Sequence, residues 1–219
     1  EVRGLQIENT GSTGVLLLEG TLLEGGRQHR ALVRSVFVRA NDTQEIPVVC
    51  VEQGRWAGSN LQSLGQKSAP ARVRAAMRGI HKTSGEVRQA EANQSRVWEE
   101  INKYQNDFGT HNATASYAML RDEIESKLPV LENPVALAGQ RGVIIAVNGA
   151  PLALELFDHP DTLSEKLNSI LRGFLPDSMA RGYRQTLSGS ARRFVDQITR
   201  VGLTEHDGPN HRRNKADSL

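Results

Sequence analysis

Residues 46–56 read IPVVCVEQGRW, an apolar run that gives way abruptly to polar and charged residues. The run is rich in β-branched residues and follows the turn-forming residues Ala40–Asp42, so it predicts a β-strand. Two further apolar runs, Val15–Leu18 and Leu32–Val38, lie upstream with glycine-rich turns beside them. Because no helical pattern separates the three runs, they predict antiparallel strands. Pro47 has no N–H for a ladder, so its strand is expected to begin at a sheet edge or to carry a bulge there.

From Pro70 onward the apolar residues follow a helical period. Two stripes run through residues 86–104 and 113–128, with a short polar loop between them, and this pair predicts an αα-hairpin. The stripes last for only about two to three heptads, which does not indicate a free coiled coil. We therefore expect an arm that packs on its own domain, with a dimerisation arm as the alternative.

The second half of the chain returns to β-structure and ends in helices. Residues 142–147 and 152–157 flank Asn148-Gly149, a strong hairpin signal because both residues tolerate a positive φ. The second apolar run resumes only after Pro151, which allows a loop longer than two residues. A capping box at residues 162–165 predicts a helix to Phe174, and further helices are expected near residues 176–187 and 190–201.

These patterns predict an α+β fold. An antiparallel β-sheet is built from both ends of the chain, the helical hairpin 86–128 is inserted between them, and C-terminal helices pack against the sheet. One domain is predicted over residues 1–203. Residues 204–219 are polar without an apolar stripe and are predicted to form a disordered tail. The chain begins in sequence typical of a domain interior, so we expect a further segment upstream of Glu1.

Composition narrows the class of protein. The 219 residues carry 27 Lys and Arg against 25 Asp and Glu, a formal charge of +2 that is too balanced to indicate a nucleic-acid partner. No apolar run approaches the roughly 20 residues that a membrane span needs, and no signal peptide opens the chain. The single cysteine excludes a disulfide framework and a cysteine-rich zinc site. A soluble, cytoplasmic protein without membrane, metal or cofactor is expected.

No short catalytic or phosphate-binding motif is present, so candidate chemistry rests on individual residues. Asp158, His159 and Asp161 follow a strand, where a helix cap is favoured over a metal or acid–base site. Cys50 lies among valines, which favours a buried small hydrophobe. Glu52 on the same strand face and Arg55 nearby keep a reactive thiolate as the alternative.

The segment 54–82 contains six cations and no acid. Such a block predicts either a site for an anionic ligand or a solvated face whose cations pair with acids elsewhere. Trp56, beside Arg55, would add a stacking surface for a base or sugar. The cations are Arg55, Lys67, Arg72, Arg74, Arg78 and Lys82.

Polar side chains also collect where the predicted strands begin and end. If the strands are neighbours, these side chains converge at one end of the sheet and form either a structural ion-pair network or a polar binding pocket. The residues are Glu19, Gln28, Arg30, Glu52 and Arg55.

The same residues carry a family resemblance. Residues 17–20 (LLEG), 22–30 (LLEGGRQHR) and 46–56 resemble the ADP-ribosylglycohydrolase- and rhodanese/phosphatase-associated protein domain, a prokaryotic family. That family is marked by a Glu-Gly…Gly-x-x-Gln-x-Arg block and a Pro-Val-x-Cys-x-Glu-x-Gly-Arg-Trp block. The hairpin at 142–157 fits its later part, and the resemblance extends to about Val201. The matching positions are Glu19, Gln28, Arg30, Cys50, Glu52, Arg55 and Trp56.

The resemblance implies work beside ADP-ribose or nucleotide chemistry, or in prokaryotic conflict systems, without an established activity. We expect a ligand-binding or regulatory domain for a small anionic or nucleotide-like molecule. Arg30 and Arg55 would hold phosphate or carboxylate, and Trp56 would stack on the ligand. Glu19 and Glu52, with Gln28 in the same pocket, would orient the arginines or accept sugar hydroxyls.

Two alternatives stay open. One is a hydrolase on an ADP-ribose-like substrate, with Glu52 or Glu19 as general base or, less favoured, Cys50 as nucleophile. The other is a structural or dimerisation module that forms a homodimer through residues 86–128.

Overall fold

The computed structural model describes residues 4–77, 87–179 and 184–201, and places nine β-strands and five α-helices in them. The first strands are β1 (Gly4–Asn9), β2 (Val15–Leu17), β3 (Thr21–Gly25), β4 (Arg30–Leu32), β5 (Val36–Val38), β6 (Asp42–Cys50) and β7 (Gln62–Ser68). Helices α1 (Ala71–Met77), α2 (Val87–Phe108) and α3 (Tyr117–Ile124) follow, and α3 continues into a 3-10 turn, Glu125–Lys127. The remaining elements are β8 (Gly142–Val147), β9 (Ala150–Leu156), α4 (Pro160–Met179) and α5 (Ser188–Val201).

Five strands form the main sheet, in the order β1-β6-β4-β3-β7, with every neighbouring pair antiparallel. Strand β6 pairs with β1 along Asp42–Pro47 and with β4 along Val48–Cys50. The expectation of a sheet edge or a bulge at Pro47 is wrong, because β6 lies between β1 and β4 and its register with β1 has no shift at Pro47. Pro47 lies where pairing with β1 ends and pairing with β4 begins, so its missing N–H interrupts neither ladder.

The predicted strand Leu32–Val38 is two strands. Strand β4 ends at Leu32, and β5 leaves the main sheet to pair with β2 as a separate two-stranded sheet. Between them, the hydroxyl of Ser35 accepts a hydrogen bond from the N–H of Glu19 at 2.9 Å, which ties the crossing segment to the start of β3.

Strands β8 and β9 form a hairpin with a two-residue turn. Asn148 and Gly149 have φ of 51° and 83°, and Val147 pairs directly with Ala150, so a longer loop is wrong. The register shifts between Ile145 and Ala146, and this irregularity absorbs the extra residue that delays the second apolar run. The α+β class with antiparallel strands from both parts of the chain is confirmed, and the later strands make a two-stranded sheet of their own.

The main sheet is buried on both faces. Leu22, Ala31 and Val49 face the core that α1, α2 and α3 complete, whereas Leu23, Leu32 and Val48 pack with residues of β2 and β5. The apolar stripes of the predicted helical hairpin lie in the first of these cores, and Val97, Ile101, Tyr104, Leu120 and Ile124 are fully buried there. The arm thus packs on its own sheet, and dimerisation through it stays a prediction.

Helix α4 differs from the prediction at its C-terminal end. It runs without interruption from Pro160 through Pro176 to Met179, and residues 184–187 are not helical, so a separate helix at 176–187 is wrong. Its buried face, with Ile170 and Phe174, packs against Ile145 and Ala153 of the hairpin. The predicted tail 204–219 lies outside the described residues. Among the helices that are described, none is long and apolar enough to cross a membrane.

Candidate functional site

The strand register brings four of the predicted site residues together. Arg30 pairs with Cys50 across β4 and β6, and continuing that register by two places sets Gln28 opposite Glu52. The amide of Gln28 donates to the carbonyl of Glu52 at 3.0 Å, and the Cys50 thiol donates to Gln28 Oε1 at 3.3 Å. We call Gln28, His29, Glu52, Arg55 and Thr114 the Glu52 cluster.

Glu52 is 1% exposed, and its carboxylate has a full set of donors. Oε1 accepts from the Thr114 hydroxyl at 2.8 Å, Oε2 accepts from the His29 N–H at 2.9 Å, and Arg55 donates to both oxygens. The Thr114 carbonyl accepts the N–H groups of Gln53 and Gly54, both at 2.9 Å. A Cβ at position 54 would lie 3.0 Å from the Thr114 Cα, so glycine is what allows this close approach.

Arg55 uses all five of its N–H groups inside the protein. Its Nε binds both oxygens of Glu52 at 3.1 Å, and one Nη divides between Glu52 at 2.8 Å and the Gly25 carbonyl at 3.2 Å. The other Nη donates to the carbonyls of Gly26 at 2.7 Å and Ala57 at 3.1 Å. A guanidinium with five donors thus has none left for a ligand.

The two titratable groups of this cluster are shifted in the same direction. Burial opposes the charge on Glu52, but the hydrogen bonds from Arg55, from the His29 N–H and from Thr114 outweigh it, so the pKa of Glu52 lies below its usual value. Burial also lowers the pKa of His29. The negative charge of Glu52 opposes this shift only in part, although its Oε2 lies 3.8 Å from His29 Nε2. The cluster therefore combines an ionised carboxylate with a neutral imidazole near neutral pH.

Arg30 and Cys50 form a buried layer behind this cluster. Arg30 is 4% exposed and Cys50 1%, and the Arg30 guanidinium donates to the Cys50 sulfur. The Gln94 side chain binds the main-chain N–H and carbonyl of Cys50 at 3.0 Å and 2.8 Å, which fixes α2 against β6. These positions have no open route to a ligand from solvent. Trp56, in contrast, is 60% exposed.

Glu19 does not join the other predicted residues. Glu19 precedes the first residue of β3, whereas Gly25 is the last. The two ends of this strand are four residue steps, or roughly 13 Å, apart. Its carboxylate pairs with Arg74 at 3.3 Å, and the same guanidinium binds Glu155 of β9 at 2.7 Å. Arg74 thus joins the main sheet to the β8–β9 hairpin, with Phe174 of α4 beneath its guanidinium.

The acid-free basic block is neutralised by acids from elsewhere in the chain. Arg55 pairs with Glu52, Lys67 with Asp122 and Glu24, Arg72 with Asp107, and Arg74 with Glu19 and Glu155. Arg78 and Lys82 lie outside the described residues. Of the two predictions for this block, the structure supports cations paired with acids elsewhere.

His159 and Asp161 form an exposed local contact at the start of α4. The Asp161 N–H lies 3.3 Å from the imidazole Nδ1, and Nδ1 lies 3.5 Å from the Asp161 carboxylate. This arrangement fits the favoured helix cap. Across the described ranges, no group of three or more His, Cys, Asp or Glu side chains is arranged to hold a metal ion.

A second polar site, which sequence reasoning missed, is a groove of about 830 Å³ between β7, α3 and α4. We call it the α4 groove. Its four cations are Lys67, Arg121, Lys166 and Arg172, and its three carboxylates are Asp122, Glu125 and Glu165. Ser68, Asn168 and Ser169 add neutral hydrogen-bonding groups. A signal for it existed, because Glu165, Ser169 and Arg172 form a polar stripe at helical spacing.

The α4 groove has a closely packed wall on one side. Helix α4 meets β7 closely at Gly173, where a Cβ would lie 3.1 Å from the Ser68 Cβ. Arg121 is buried on α3, and burial together with the nearby charge of Arg172 lowers its pKa. Ser68 and Ser169 also line a separate small cavity beside Glu19 and Arg74, so Glu19 lies nearer to this groove than to the Glu52 cluster.

Comparison of the chain with curated proteins and with solved structures gave no match. A family model does match, over residues 1–216, and it is described as the ARG and Rhodanese-Phosphatase-superfamily-associated Protein domain. The Glu-Gly, Gln-x-Arg and Cys-x-Glu-x-Gly-Arg-Trp blocks that pointed to this family build the strand ends, the Glu52 cluster and the Arg74 contact described above. With almost its whole length matched, the chain belongs to the ARG and Rhodanese-Phosphatase-superfamily-associated Protein domain family.

Proposed function

We propose that this domain is a ligand-binding module that holds a small anionic molecule in the α4 groove. The observation that carries the proposal is a polar groove of about 830 Å³ whose four cationic side chains exceed its three carboxylates by one charge. That volume falls within the roughly 300–1,000 Å³ typical of small-molecule sites. The rim cation Arg172 has a side chain that is 49% exposed, whereas every N–H group of Arg55 is bound within the protein.

The chemistry of the groove favours phosphate-bearing ligands. Guanidinium groups match phosphate and carboxylate oxygens in pairs, and lysine adds a mobile point charge. Serine hydroxyls and the Asn168 amide suit the hydroxyl groups of a sugar. ADP-ribose and mononucleotides, the classes implied by the family resemblance, combine both features. The cytoplasmic location expected from the sequence is part of this proposal.

The Glu52 cluster supports a structural role. A general base needs a lone pair directed at its substrate, whereas both oxygens of Glu52 are occupied and its pKa is lowered. The hydrolase alternative therefore stays a prediction with no support from this geometry. The homodimer through residues 86–128 also stays a prediction, since the apolar stripe it would use is buried in the core.

Thermal unfolding against a panel of ADP-ribose, NAD, AMP, pyrophosphate and inorganic phosphate tests the proposal. A ligand at 100 times its dissociation constant stabilises a protein by about 2.7 kcal/mol, which for this length raises the midpoint by roughly 5–10 °C. We expect such a shift for at least one phosphate-bearing compound. Arg172→Ala should abolish it, whereas Arg192→Ala, an exposed change on α5, should leave it intact.

Two outcomes contradict the proposal. The absence of a shift with every compound would remove the case for a phosphate-binding module. A shift that survives Arg172→Ala but disappears with Trp56→Ala would place the ligand beside the Glu52 cluster, where sequence reasoning first expected it. Trp56 suits this comparison because its exposed side chain contributes little to the core.

A further inference from the structure

Of the three carboxylates in the α4 groove, that of Glu125 contacts two of the groove's cations. One oxygen of Glu125 pairs with Nη1 of Arg121, and the other lies 3.0 Å from Nη2 of Arg172. The two oxygens of a single carboxylate therefore bridge two guanidinium groups from different helices. Their positions mark where two oxygens of a bound anion would sit.

The three partners differ sharply in exposure. The Arg121 side chain is 4% exposed, whereas those of Glu125 and Arg172 are 46% and 49% exposed. Among the described residues, Arg121 makes its only ion pair with Glu125. A buried guanidinium needs an anion beside it, because a buried charge without a partner is costly. The half-exposed carboxylate, in contrast, loses little when it moves into water.

We propose that Glu125 is an internal competitor for the ligand, and that a phosphate group displaces its carboxylate to take up Arg121 and Arg172. This inference rests on the proposed function of the α4 groove. Glu125 lies in the 3-10 turn directly after α3, so its side chain can swing outward while Arg121 stays fixed in the helix. Ligand entry then exchanges one anion for another and leaves no cation unpaired.

An internal carboxylate also sets the class of ligand. A tethered group acts at an effective concentration in the millimolar range, so a ligand carboxylate, single or one of several as in citrate, gains little by replacing it. A terminal phosphate or a diphosphate carries about one more negative charge and two or more oxygens for the two guanidiniums. The groove should therefore select phosphate monoesters and diphosphates over carboxylates.

Binding of pyrophosphate and of citrate, measured by isothermal titration calorimetry, tests the inference in the full chain. Glu125→Gln removes the competing charge, and we expect it to tighten pyrophosphate binding about tenfold. Glu165→Gln is the matched control, because it removes from the same groove a carboxylate whose one ion pair among the described residues is with Lys166, at 2.6 Å. The control should change the affinity less than threefold. Arg172→Ala should abolish pyrophosphate binding in the wild-type and Glu125→Gln backgrounds.

Each result bears on the inference. Equal tightening by Glu125→Gln and Glu165→Gln would mean that only the overall charge of the groove matters, and would overturn it. Weaker binding by a folded Glu125→Gln variant would show that Glu125 supports the site, and would also overturn it. If Glu125→Gln does not fold, Glu125→Asp takes its place. The shorter side chain keeps the charge but cannot bridge both arginines, and it should also tighten binding.

Failure of the inference and failure of the proposed function give different results. If the wild type binds pyrophosphate and Glu125→Gln binds it no more tightly, the domain still binds phosphate and only the internal competitor is wrong. If neither the wild type nor any variant binds a phosphate compound, the proposed function is wrong and the competitor with it. Tighter binding of citrate than of pyrophosphate would overturn the assigned ligand class alone.

Discussion

Arg55 encloses the carboxylate of Glu52 from a distance of 2.8 Å while its other N–H groups bind the carbonyls that follow β3. This pair joins three parts of the chain, because Glu52 also accepts from His29 before β4 and from Thr114 before α3. The two side chains form a structural contact and not a binding pocket, because their donors and acceptors are all used within the protein. The three-residue spacing of Glu52 and Arg55 lets the arginine reach this carboxylate directly after β6.

Glu52→Gln should destabilise the fold, because we assign Glu52 a structural and not a catalytic role. The amide cannot neutralise Arg55, and its NH2 group would face donors, so we expect the free energy of unfolding to fall by about 2–4 kcal/mol. Urea denaturation measures this change. Glu8→Gln, exposed on the edge strand β1, is the control and should stay within about 0.5 kcal/mol of wild type. Unchanged stability of Glu52→Gln with loss of a measured turnover would instead support the hydrolase alternative.

The same cluster should give the protein a two-step loss of stability in acid. Neutral His29 accepts the Gly25 N–H on Nδ1 at 3.1 Å, and protonation of Nδ1 destroys that hydrogen bond. Since the pKa of His29 is lowered by folding, its contribution is complete above its usual value of 6.5 and is lost as the pH falls toward its folded pKa. Ionised Glu52 stabilises the fold above its usual pKa of 4.5, and that contribution is lost as the pH falls further through its own folded pKa.

Urea denaturation between pH 8 and pH 3 separates the two steps. The difference in stability between wild type and His29→Gln should be constant above about pH 6.5 and should shrink as the pH falls from there through the lowered pKa of His29. The difference between wild type and Glu52→Gln should be constant above about pH 6.5, where His29 is neutral, and should shrink as the pH falls through the lowered pKa of Glu52. Parallel pH profiles for wild type and both variants would contradict the assignment of these groups.

Much of the fold follows from periodicity, and what did not follow has a physical cause. The apolar runs that became β4 and β6 bury residues on two faces, and those that became β8 and β9 flank an Asn-Gly turn, so all four stand out in the sequence. Strand β7 reads QSLGQKS and lies at the edge of the main sheet, where it is hydrogen-bonded to one strand, β3. An edge strand needs fewer apolar residues than a central one. Its polar sequence therefore gave no strand signal.

The candidate site was likewise predicted only in part from the sequence. Gln28, Arg30, Glu52 and Arg55 were expected to converge where neighbouring strands end, and Cys50 was expected to share a strand face with Glu52. That Arg55 has no free N–H was beyond prediction, since three of its acceptors are main-chain carbonyls whose positions depend on the turns after β3 and β6. The α4 groove was missed because residues of β7, α3 and α4, tens of positions apart, meet only in the folded chain.

Two buried tyrosines offer a matched comparison of hydrogen bonding in the core. The Tyr104 hydroxyl donates to Asp177 of α4, whereas the Tyr117 hydroxyl has no hydrogen-bond partner among the described residues, and their rings are 6.2 Å apart. Tyr104→Phe would leave the buried Asp177 short of a donor and should cost about 1–3 kcal/mol. Tyr117→Phe removes an unsatisfied group and should be neutral or stabilising. Equal losses in urea denaturation would contradict this difference.

Gly173 sets the distance between α4 and β7, and with it the wall of the α4 groove. A side chain there would meet the Ser68 Cβ at 3.1 Å, so Gly173→Val should cost about 1–3 kcal/mol of stability through overpacking. Ser68→Gly removes the opposing atoms, and in that background the cost of Gly173→Val should fall by about 1 kcal/mol or more. Gly189→Val on α5, where the nearest atom is 3.7 Å away, should be tolerated. An identical cost of Gly173→Val with and without Ser68→Gly would mean that another contact limits this approach.

Cys50 should be unreactive in the native protein although a guanidinium lies beside it. Its sulfur is 1% exposed, and it donates to Gln28 Oε1 at 3.3 Å, which requires the protonated thiol. We expect its reaction with Ellman's reagent to be at least about a thousandfold slower than that of a free thiol, because the reagent must wait for unfolding. Full reactivity should return in concentrated guanidinium chloride, and Ser59→Cys, at an exposed loop position, should add a thiol that reacts at once. Rapid reaction of Cys50 in the native protein would instead reveal an accessible thiolate and would favour the nucleophile alternative over the buried thiol.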